Sequence, residues 1–324
     1  MTWTGVHAPA GAAASAADRP LAARGAWERQ DGAVLVCCGL LTLDVVQVVD
    51  RLPGPDEKVV AGSLSATFGG PAANAAATAV ALGVPSRLVT AVGEGPLAGA
   101  VRADVAEAGV DLVDALPAER RGSAQPAVST VLVTAATGER AVVSTNSTAF
   151  GDVDALDVDA LLGVVGSGDV LLLDGHLPAV ALPVARRARE EGCVVVLDGG
   201  SWKPEAPEMI ALCDAVVLSA DFRVPGVAPG DVLDAVARLG PRFVARTHGG
   251  GAVEVLHDGR RSTVAVPVPR RVVDTLGAGD VVHGAFAASL AQGAAYGEAL
   301  ERAVVVASRS VEHAGARGWI TAPA

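Results

Sequence analysis

Short apolar runs alternate along the chain with segments in which apolar residues recur at helical spacing. The apolar runs, each the length of a buried strand, lie at 33–40, 88–92, 170–174, 193–198, 214–219 and 242–247. The segments with helical spacing lie at 72–82, 96–108, 178–191 and 230–239, and two Ala-rich helices follow at 279–293 and 297–313. This alternation predicts an α/β fold with an open, mainly parallel sheet sandwiched between two layers of helices.

Two regions depart from this alternation, at 44–66 and 127–145. Both alternate apolar and polar residues and contain turn signals at Pro-Gly and Thr-Gly, which is typical of antiparallel hairpins. We therefore expect these strands to form a small β-sheet lid beside one edge of the main sheet. Residues 1–30 are rich in Ala, Gly and Pro without a sustained period, which predicts a flexible extension and leaves 31–324 as one domain.

Composition excludes several classes of protein. A hydrophobic content of 51% with 19% charged residues excludes disorder over most of the length. The apolar residues are dispersed, and no run approaches the ~20 residues of a membrane-spanning helix. A net charge of −11 argues against a nucleic-acid partner. Four cysteines without a C-x-x-C pair, and an N-terminus without a continuous apolar segment, predict free thiols in a cytoplasmic protein.

The segment Val-Val-Asp-Thr-Leu-Gly-Ala-Gly-Asp at 272–280 carries the strongest chemical signal. The small residues Gly277, Ala278 and Gly279 precede a predicted helix and leave its first backbone N–H groups uncovered, which suits phosphate oxygens. Asp280 follows in the first turn, where a carboxylate can act as general base for a hydroxyl that attacks the bound anion. Alternatively, these residues form an ordinary loop, and Asp280 is a first-turn residue stabilised by the helix dipole.

Two further groups of residues suit a polar ligand. Gly69 and Gly70 allow close backbone approach, and Asn74, in the first turn of the following helix, can both donate to and accept from sugar hydroxyls. Asp44 comes just beyond the carboxyl end of the first predicted strand, where open α/β sheets bind ligands. The alternatives are a helix entry after a turn for the first group, and a turn residue for Asp44.

In this order and spacing, the three groups resemble the ribokinase-like carbohydrate kinases, also called the phosphofructokinase-B family, over nearly the whole of 31–320. The resemblance implies a Rossmann-like core with a β-lid and ATP-dependent phosphorylation of a sugar or related alcohol. It implies that Asp280 is the base and that Gly277, Ala278 and Gly279 form the anion hole. It implies acceptor-binding roles for Asp44, Gly69, Gly70 and Asn74.

The nucleotide-binding positions match the family less closely. Ser219 stands where the family has the Asn of an Asn-x-x-Glu motif, and the Glu is absent, which leaves Asp221 to organise Mg²⁺ through water. Thr247 and Gly249 match the family's nucleotide loop, Thr-x-Gly-x-x-Gly. This chain has Ala252 where the second glycine of that loop is usual. The resemblance further implies a monovalent cation, K⁺, bound through carbonyls near Asp274, Leu276 and Gly315.

The acceptor follows less directly from the sequence. Segments such as PRRVVDTLGAGD are similar to ketohexokinases, and GGPAANAAATAVALG is similar to sulfofructose kinase. We therefore expect a ketose or fructose-like acceptor, phosphorylated on a primary hydroxyl. Ribokinase or nucleoside kinase activity stays open, as does a non-catalytic homologue that only binds sugar or nucleotide. An oxidoreductase is disfavoured because no G-x-G-x-x-G follows the first strand. The resemblance also implies a homodimer through the lid.

Basic residues and one histidine offer weaker signals. Arg87, Arg140 and Lys203 lie in regions that could bind a phosphorylated or sulfonated sugar, although each also fits a solvated charge. His283 is three residues after Asp280, about 300° around the helix, so we predict that it packs behind the site.

Overall fold

A computed structural model of the chain describes residues 32–146 and 156–321. The extension predicted for 1–30 lies outside the described residues. In chain order the strands are β1 (Leu35–Cys38), β2 (Thr42–Val49), β3 (Ser63–Gly69), β4 (Ser86–Thr90), β5 (Asp111–Asp114), β6 (Ala127–Thr134), β7 (Arg140–Ser144), β8 (Val170–Leu173), β9 (Val194–Gly199), β10 (Ala215–Leu218), β11 (Phe243–His248), β12 (Gly251–His257) and β13 (Arg260–Val264). The helices are α1 (Pro71–Ala81), α2 (Pro96–Glu107), α3 (Ala118–Arg121), α4 (Val158–Leu162), α5 (Pro178–Glu190), α6 (Ala206–Ala211), α7 (Val232–Ala237), α8 (Ala278–Ala291) and α9 (Tyr296–Ser310).

Nine of these strands form one sheet in the order β13-β12-β11-β10-β9-β8-β1-β4-β5. The strands from β5 across to β11 pair in parallel, and β12 and β13 extend the sheet with antiparallel pairs. The fold is thus the predicted ribokinase-like α/β architecture. Strand order reverses at β1. The chain first extends the sheet to one side of β1, through β4 and β5, and later to the other side, from β8 to β13. Ligands bind open sheets at the carboxyl ends of the strands beside such a reversal.

Both faces of the sheet are covered, which explains why its central strands consist of uninterrupted apolar residues. Along β1, Leu35 and Cys37 pack into one helical layer, built mainly from α1, α2, α8 and α9. Val36 and Cys38 pack into the opposite layer, with α4, α5, α6 and α7. Successive side chains point to opposite faces, so a strand buried on both sides needs apolar residues at every position.

The lid is a second sheet of four strands in the order β3-β2-β6-β7. Both predicted regions supply it, and each pairs internally as an antiparallel hairpin, as expected. The two hairpins are not separate, however, because β2 and β6 pair in parallel along eight residues, from Thr42 with Ala127 to Val49 with Thr134. This pairing covers the inner edge of each hairpin, which would otherwise expose unpaired backbone groups.

Helix α8 lies directly against α1. A side chain at Gly284 would place its Cβ 2.5 Å from the carbonyl oxygen of Ala75, so only glycine permits this approach. The contact fixes the N-terminus of α8 beside the first turn of α1. Four buried cysteines are free thiols: Cys37 in the layer of α1 and α8, and Cys38, Cys193 and Cys213 in the opposite layer. Within 32–146 and 156–321, no helix combines the length and apolarity needed to span a membrane.

Candidate active site

Two cavities meet at the N-terminus of α8. The first, of about 430 Å³, lies between the lid and the core, and its lining includes Asp44, Gly70, Asn74, Asp274, Leu276, Gly277, Asp280, Gly315 and Arg317. The second, of about 400 Å³, is mostly apolar, and its lining includes Thr247, Gly249, Val253, Pro267, Val272, Ala278, Gly279 and Val304. Neighbouring residues of one short segment thus face two different cavities. This arrangement suits the transfer of a group between two bound molecules.

The start of α8 provides uncovered backbone donors between these cavities. Gly277 precedes the helix in a left-handed conformation, with φ of 73°, and no side chain caps the helix. A Cβ at Gly277 would lie 2.3 Å from the Cβ of Ala316, so glycine is required for both conformation and space. Because Ala278 and Gly279 are small, the first N–H groups stay open to an anion, as the sequence predicts.

Asp280 accepts a hydrogen bond of 2.7 Å from the side-chain amide of Asn74. Burial, reinforced by the negative charge of Asp198, raises the pKa of Asp280 to about 7, while the Asn74 amide and His283 act in the opposite direction. A carboxyl group with a pKa near neutrality is matched to general-base work. His283 is buried beneath it, with Nδ1 3.1 Å from Asp198 and Nε2 3.0 Å from the carbonyl of Val217.

The predicted Gly-Gly pair lies close to other atoms of the chain, and Gly70 also lines the first cavity. A Cβ at Gly69 would lie 2.0 Å from Oδ2 of Asp44, and one at Gly70 would lie 2.4 Å from the carbonyl oxygen of Leu40. Gly69 therefore makes room for the carboxylate of Asp44, which itself accepts a 2.6 Å bond from Thr42 Oγ1. Gly69 is not among the residues that line the first cavity, and its contact with the acceptor stays a prediction.

Arg317 is the cavity residue that the sequence analysis missed. Its Nη2 donates to Thr67 Oγ1 at 2.7 Å and to the carbonyl of Phe68 at 2.6 Å, and its Nη1 donates to Asn74 Oδ1. The guanidinium carbon lies 3.5 Å from the centre of the Phe68 ring, in a cation–π contact. No local motif marks Arg317. The only available signal is its position two residues after Gly315, which the family resemblance placed near the site.

Arg87, Arg140 and Lys203, which the sequence offered as binders of a charged sugar, do not line the first cavity. Arg87 forms an ion pair of 2.8 Å with Asp111. Lys203 lines a separate small pocket with Asp198. Arg140, the first residue of β7, reaches from the lid to Asp274, and its Nη2 lies 2.6 Å from Asp274 Oδ1. Of the three, only Arg140 therefore connects to the residues around the first cavity.

Asp274 joins three segments of the chain. Besides Arg140, it accepts backbone N–H groups from Leu276 and Gly315, both at 2.9 Å. The structure thus brings together the three residues expected around K⁺. The carboxylate oxygens of Asp274 are occupied by N–H donors and a guanidinium. The K⁺ site through backbone carbonyls stays a prediction.

The nucleotide positions separate into two sets. Thr247 and Gly249 line the second cavity. Ser219 is not among the residues that line it, and its hydroxyl donates to the carbonyl of Gly200 at 2.9 Å. Asp221 is exposed in the turn after β10. Among the described residues, no three Asp, Glu, His or Cys side chains form a group that could hold a metal ion.

Solved structures share this architecture. Ribokinase from Thermotoga maritima matches with a TM-score of 0.73 and 22% identity, covering 90% of this chain and 96% of that one. Arabidopsis thaliana ribokinase, solved in complex with ribose and ATP, matches with a TM-score of 0.71 and 20% identity, covering 90% of this chain and all of that one. At these identities the likeness establishes the fold.

Relatives found by sequence extend the comparison. An ATP-dependent ribose-1-phosphate kinase from Halopiger xanaduensis is 32% identical over 90% of this chain and 96% of its own length. A ribokinase from Arabidopsis thaliana is 27% identical over 87% of this chain and 77% of its own length. These matches do not confirm the specific likeness to ketohexokinase or sulfofructose kinase. A family model described as pfkB family carbohydrate kinase matches residues 33–322. The chain therefore belongs to the pfkB family of carbohydrate kinases.

Proposed function

We propose that this kinase transfers the γ-phosphoryl group of ATP to the primary hydroxyl of a ribose-type sugar. The supporting observation is the placement of Asp280 in the first cavity while Ala278 and Gly279 line the second. Relatives named for ribose or ribose 1-phosphate match most of the chain, which favours this acceptor over the ketose expected from short segments.

The sugar occupies the first cavity, where Asp44 and Asn74 bind its hydroxyls. Asp280 takes the proton from the reacting hydroxyl as that oxygen bonds to the γ-phosphorus, and the bond from phosphorus to the β–γ bridging oxygen breaks to release ADP. The N–H groups at the start of α8 stabilise negative charge on the phosphoryl oxygens. Thr247 and Gly249 contact ATP along the second cavity, whose apolar walls suit its base. Ser219 does not contact ATP in this proposal, and its hydroxyl only holds the backbone at Gly200 in place.

Mg²⁺, when bound with ATP, supplies neutralising charge on the phosphates. Kinases commonly hold this ion through substrate phosphates, water and few protein ligands. The exposed Asp221 suits a contact through water, and the described residues do not form a preassembled cage.

The lid excludes water from the transfer. Its ion pair between Arg140 and Asp274 ties the strand at its outer edge to the loop that precedes α8. Exclusion matters because water would otherwise accept the phosphoryl group. On the same strand, Val142 and Val143 are 58% and 75% exposed, which suits the proposed pairing of two lids in a homodimer. Sedimentation velocity tests this: a purely monomeric protein at micromolar concentration contradicts the dimer.

The acceptor is tested by ADP release with ATP and a panel of ribose, ribose 1-phosphate, fructose and adenosine. We expect the highest kcat/KM with one of the two ribose compounds. A higher value with fructose would restore the ketose acceptor, and one with adenosine would indicate a nucleoside kinase. If no acceptor stimulates ADP release, while ATP and a sugar still bind in a calorimetric titration, the chain is a non-catalytic homologue.

A further inference from the structure

Arg317 is a largely buried cation whose partners are all uncharged. Its three hydrogen bonds go to the Asn74 amide oxygen, the Thr67 hydroxyl and the Phe68 carbonyl. No carboxylate of the described residues forms an ion pair with it. Burial lowers the pKa of Arg317 to about 10, and the negative charges of Asp44, Asp104 and Asp280 offset this effect only in part. Removing a guanidinium from water without an anionic partner is unfavourable, so buried charges are normally paired.

The guanidinium is nevertheless held in a fixed place at the acceptor cavity. The ring of Phe68 lies beneath it, and hydrogen bonds orient both of its Nη atoms. A guanidinium has five N–H donors, and three are used by these bonds, so two remain for a ligand. A planar group held rigidly, with free donors, matches the oxygens of a phosphate ester.

The position of Arg317 relative to Asp280 also suits a sugar phosphate. The amide of Asn74 lies between them, donating to Asp280 through Nδ2 and accepting from Arg317 through Oδ1. A sugar whose reacting hydroxyl is at Asp280 can therefore place a substituent from the opposite side of its ring near Arg317. The Asp44 carboxylate is suited to hydroxyls, and its negative charge acts on Arg317 without forming an ion pair with it.

We propose that Arg317 binds a phosphate ester group of the acceptor and makes the enzyme prefer a sugar phosphate over the free sugar. This inference rests on the proposed kinase function and names its substrate class. The phosphate supplies the missing anionic partner of Arg317. The reacting hydroxyl and the phosphate then occupy opposite ends of one acceptor, and both are held at defined positions.

The test compares kcat/KM for ribose 1-phosphate and for ribose in the wild type and in Arg317→Gln. Hydrogen bonds to charged groups predict a wild-type preference for ribose 1-phosphate of ~10- to 100-fold, and loss of most of that preference in the variant. Arg317 also orients Asn74, so both activities fall, but this common loss cancels in the ratio. A ratio that Arg317→Gln leaves unchanged overturns the inference.

Two controls separate charge from structure. Arg140→Gln removes a cation that already has a carboxylate partner, so we expect the ratio to stay within about twofold of the wild type, where ΔΔG is below about 0.4 kcal/mol. Arg317→Lys keeps the positive charge but not the planar set of N–H donors, so we expect an intermediate ratio. This variant also provides the test if Arg317→Gln does not fold. A ratio lost equally in Arg140→Gln contradicts a specific role for Arg317.

Direct titration distinguishes failure of this inference from failure of the proposed function. Calorimetric titration of the full-length protein with ribose 1-phosphate, without ATP, measures binding independently of turnover. If no ribose compound is phosphorylated, yet ribose 1-phosphate binds and Arg317→Gln weakens that binding at least tenfold, the function is wrong and the role of Arg317 holds. If turnover occurs but both proteins bind ribose 1-phosphate equally, the kinase assignment holds and the role of Arg317 is wrong.

Discussion

Replacement of Asp280 by Asn tests the chemistry of the site most directly. The variant keeps the size of the side chain but removes the group that takes the proton. General-base catalysis contributes ~10²- to 10⁴-fold, so we expect turnover to fall by that factor while the dissociation constant of ATP, bound in the neighbouring cavity, changes little. Steady-state ADP release and calorimetric ATP titration measure the two quantities.

The same substitution is expected to stabilise the fold at neutral and alkaline pH. The pKa of Asp280 is about 7 in the folded protein, against an ordinary value of 3.8. A difference of about 3 pKa units corresponds to at most about 4 kcal/mol. The folded state holds the proton more tightly, so stability is full below pH 4, falls between pH 4 and 7, and stays reduced above. Because Asp280 opens partly to the cavity, we expect Asp280→Asn to recover about half of this maximum at pH 8 and nothing at pH 4.

The assays are a pH–rate profile and chemical denaturation at two pH values. Wild-type kcat/KM is expected to rise with pH to a plateau above the apparent pKa near 7, since only the carboxylate accepts a proton. The Asn variant is expected to lose this dependence. Near-normal turnover of Asp280→Asn, or an unchanged acid limb in its profile, would refute the assignment of Asp280 as base. A variant less stable than the wild type at pH 8 would refute the raised pKa.

Two glycines give further predictions, with Gly99→Ala as a shared control, because Gly99 lies in α2 and an added Cβ there meets nothing within 4 Å. Gly69→Ala displaces the Asp44 carboxylate, so acceptor KM is expected to rise ~10-fold or more while ATP KM is unchanged in the same kinetic assay. Gly284→Ala forces its Cβ against the carbonyl of Ala75 and should lower the free energy of unfolding by ~1–3 kcal/mol, measured by denaturant titration. An acceptor KM that Gly69→Ala leaves at the control value, or a Gly284→Ala protein as stable as the control, would contradict the close contacts on which these predictions rest.

Much of the fold follows from patterns that are local in the sequence. The parallel strands of the main sheet other than β5, and the long helices, were predicted within a few residues, because each forms a continuous apolar run or a repeated helical spacing. The helices α4 and α6 have only five and six residues, too few to establish a period. The parallel pairing of β2 with β6 was not predicted, since the choice of a partner strand so distant in the chain depends on tertiary structure.

The residues of the candidate site could likewise be predicted where the signal is local in the sequence, and not where it depends on tertiary structure. Residues 277–280 are contiguous, so their shared role could be predicted from one short segment. Gly69 was predicted to contact the acceptor, and the sequence could not show that the space where a Cβ would lie is filled by the carboxylate of Asp44. Arg317 was missed because its position depends on the whole path of α9, which returns the chain to α8 and sets the residues after Gly315 beside the cavity.

The parallel pair at the centre of the lid has a consequence for how the chain folds. Helices α1 and α2 and strands β4 and β5 all lie between β2 and β6 in the sequence, so the two strands close a long loop when they meet. Closing such a loop is entropically unfavourable until the intervening elements are compact. Strands β1, β4 and β5 and helices α1 and α2 therefore become compact before β2 and β6 can pair. A nascent chain that ends before β6 lacks the central pair of the lid, and it also lacks the phosphate-binding residues 277–280, which lie at the start of α8.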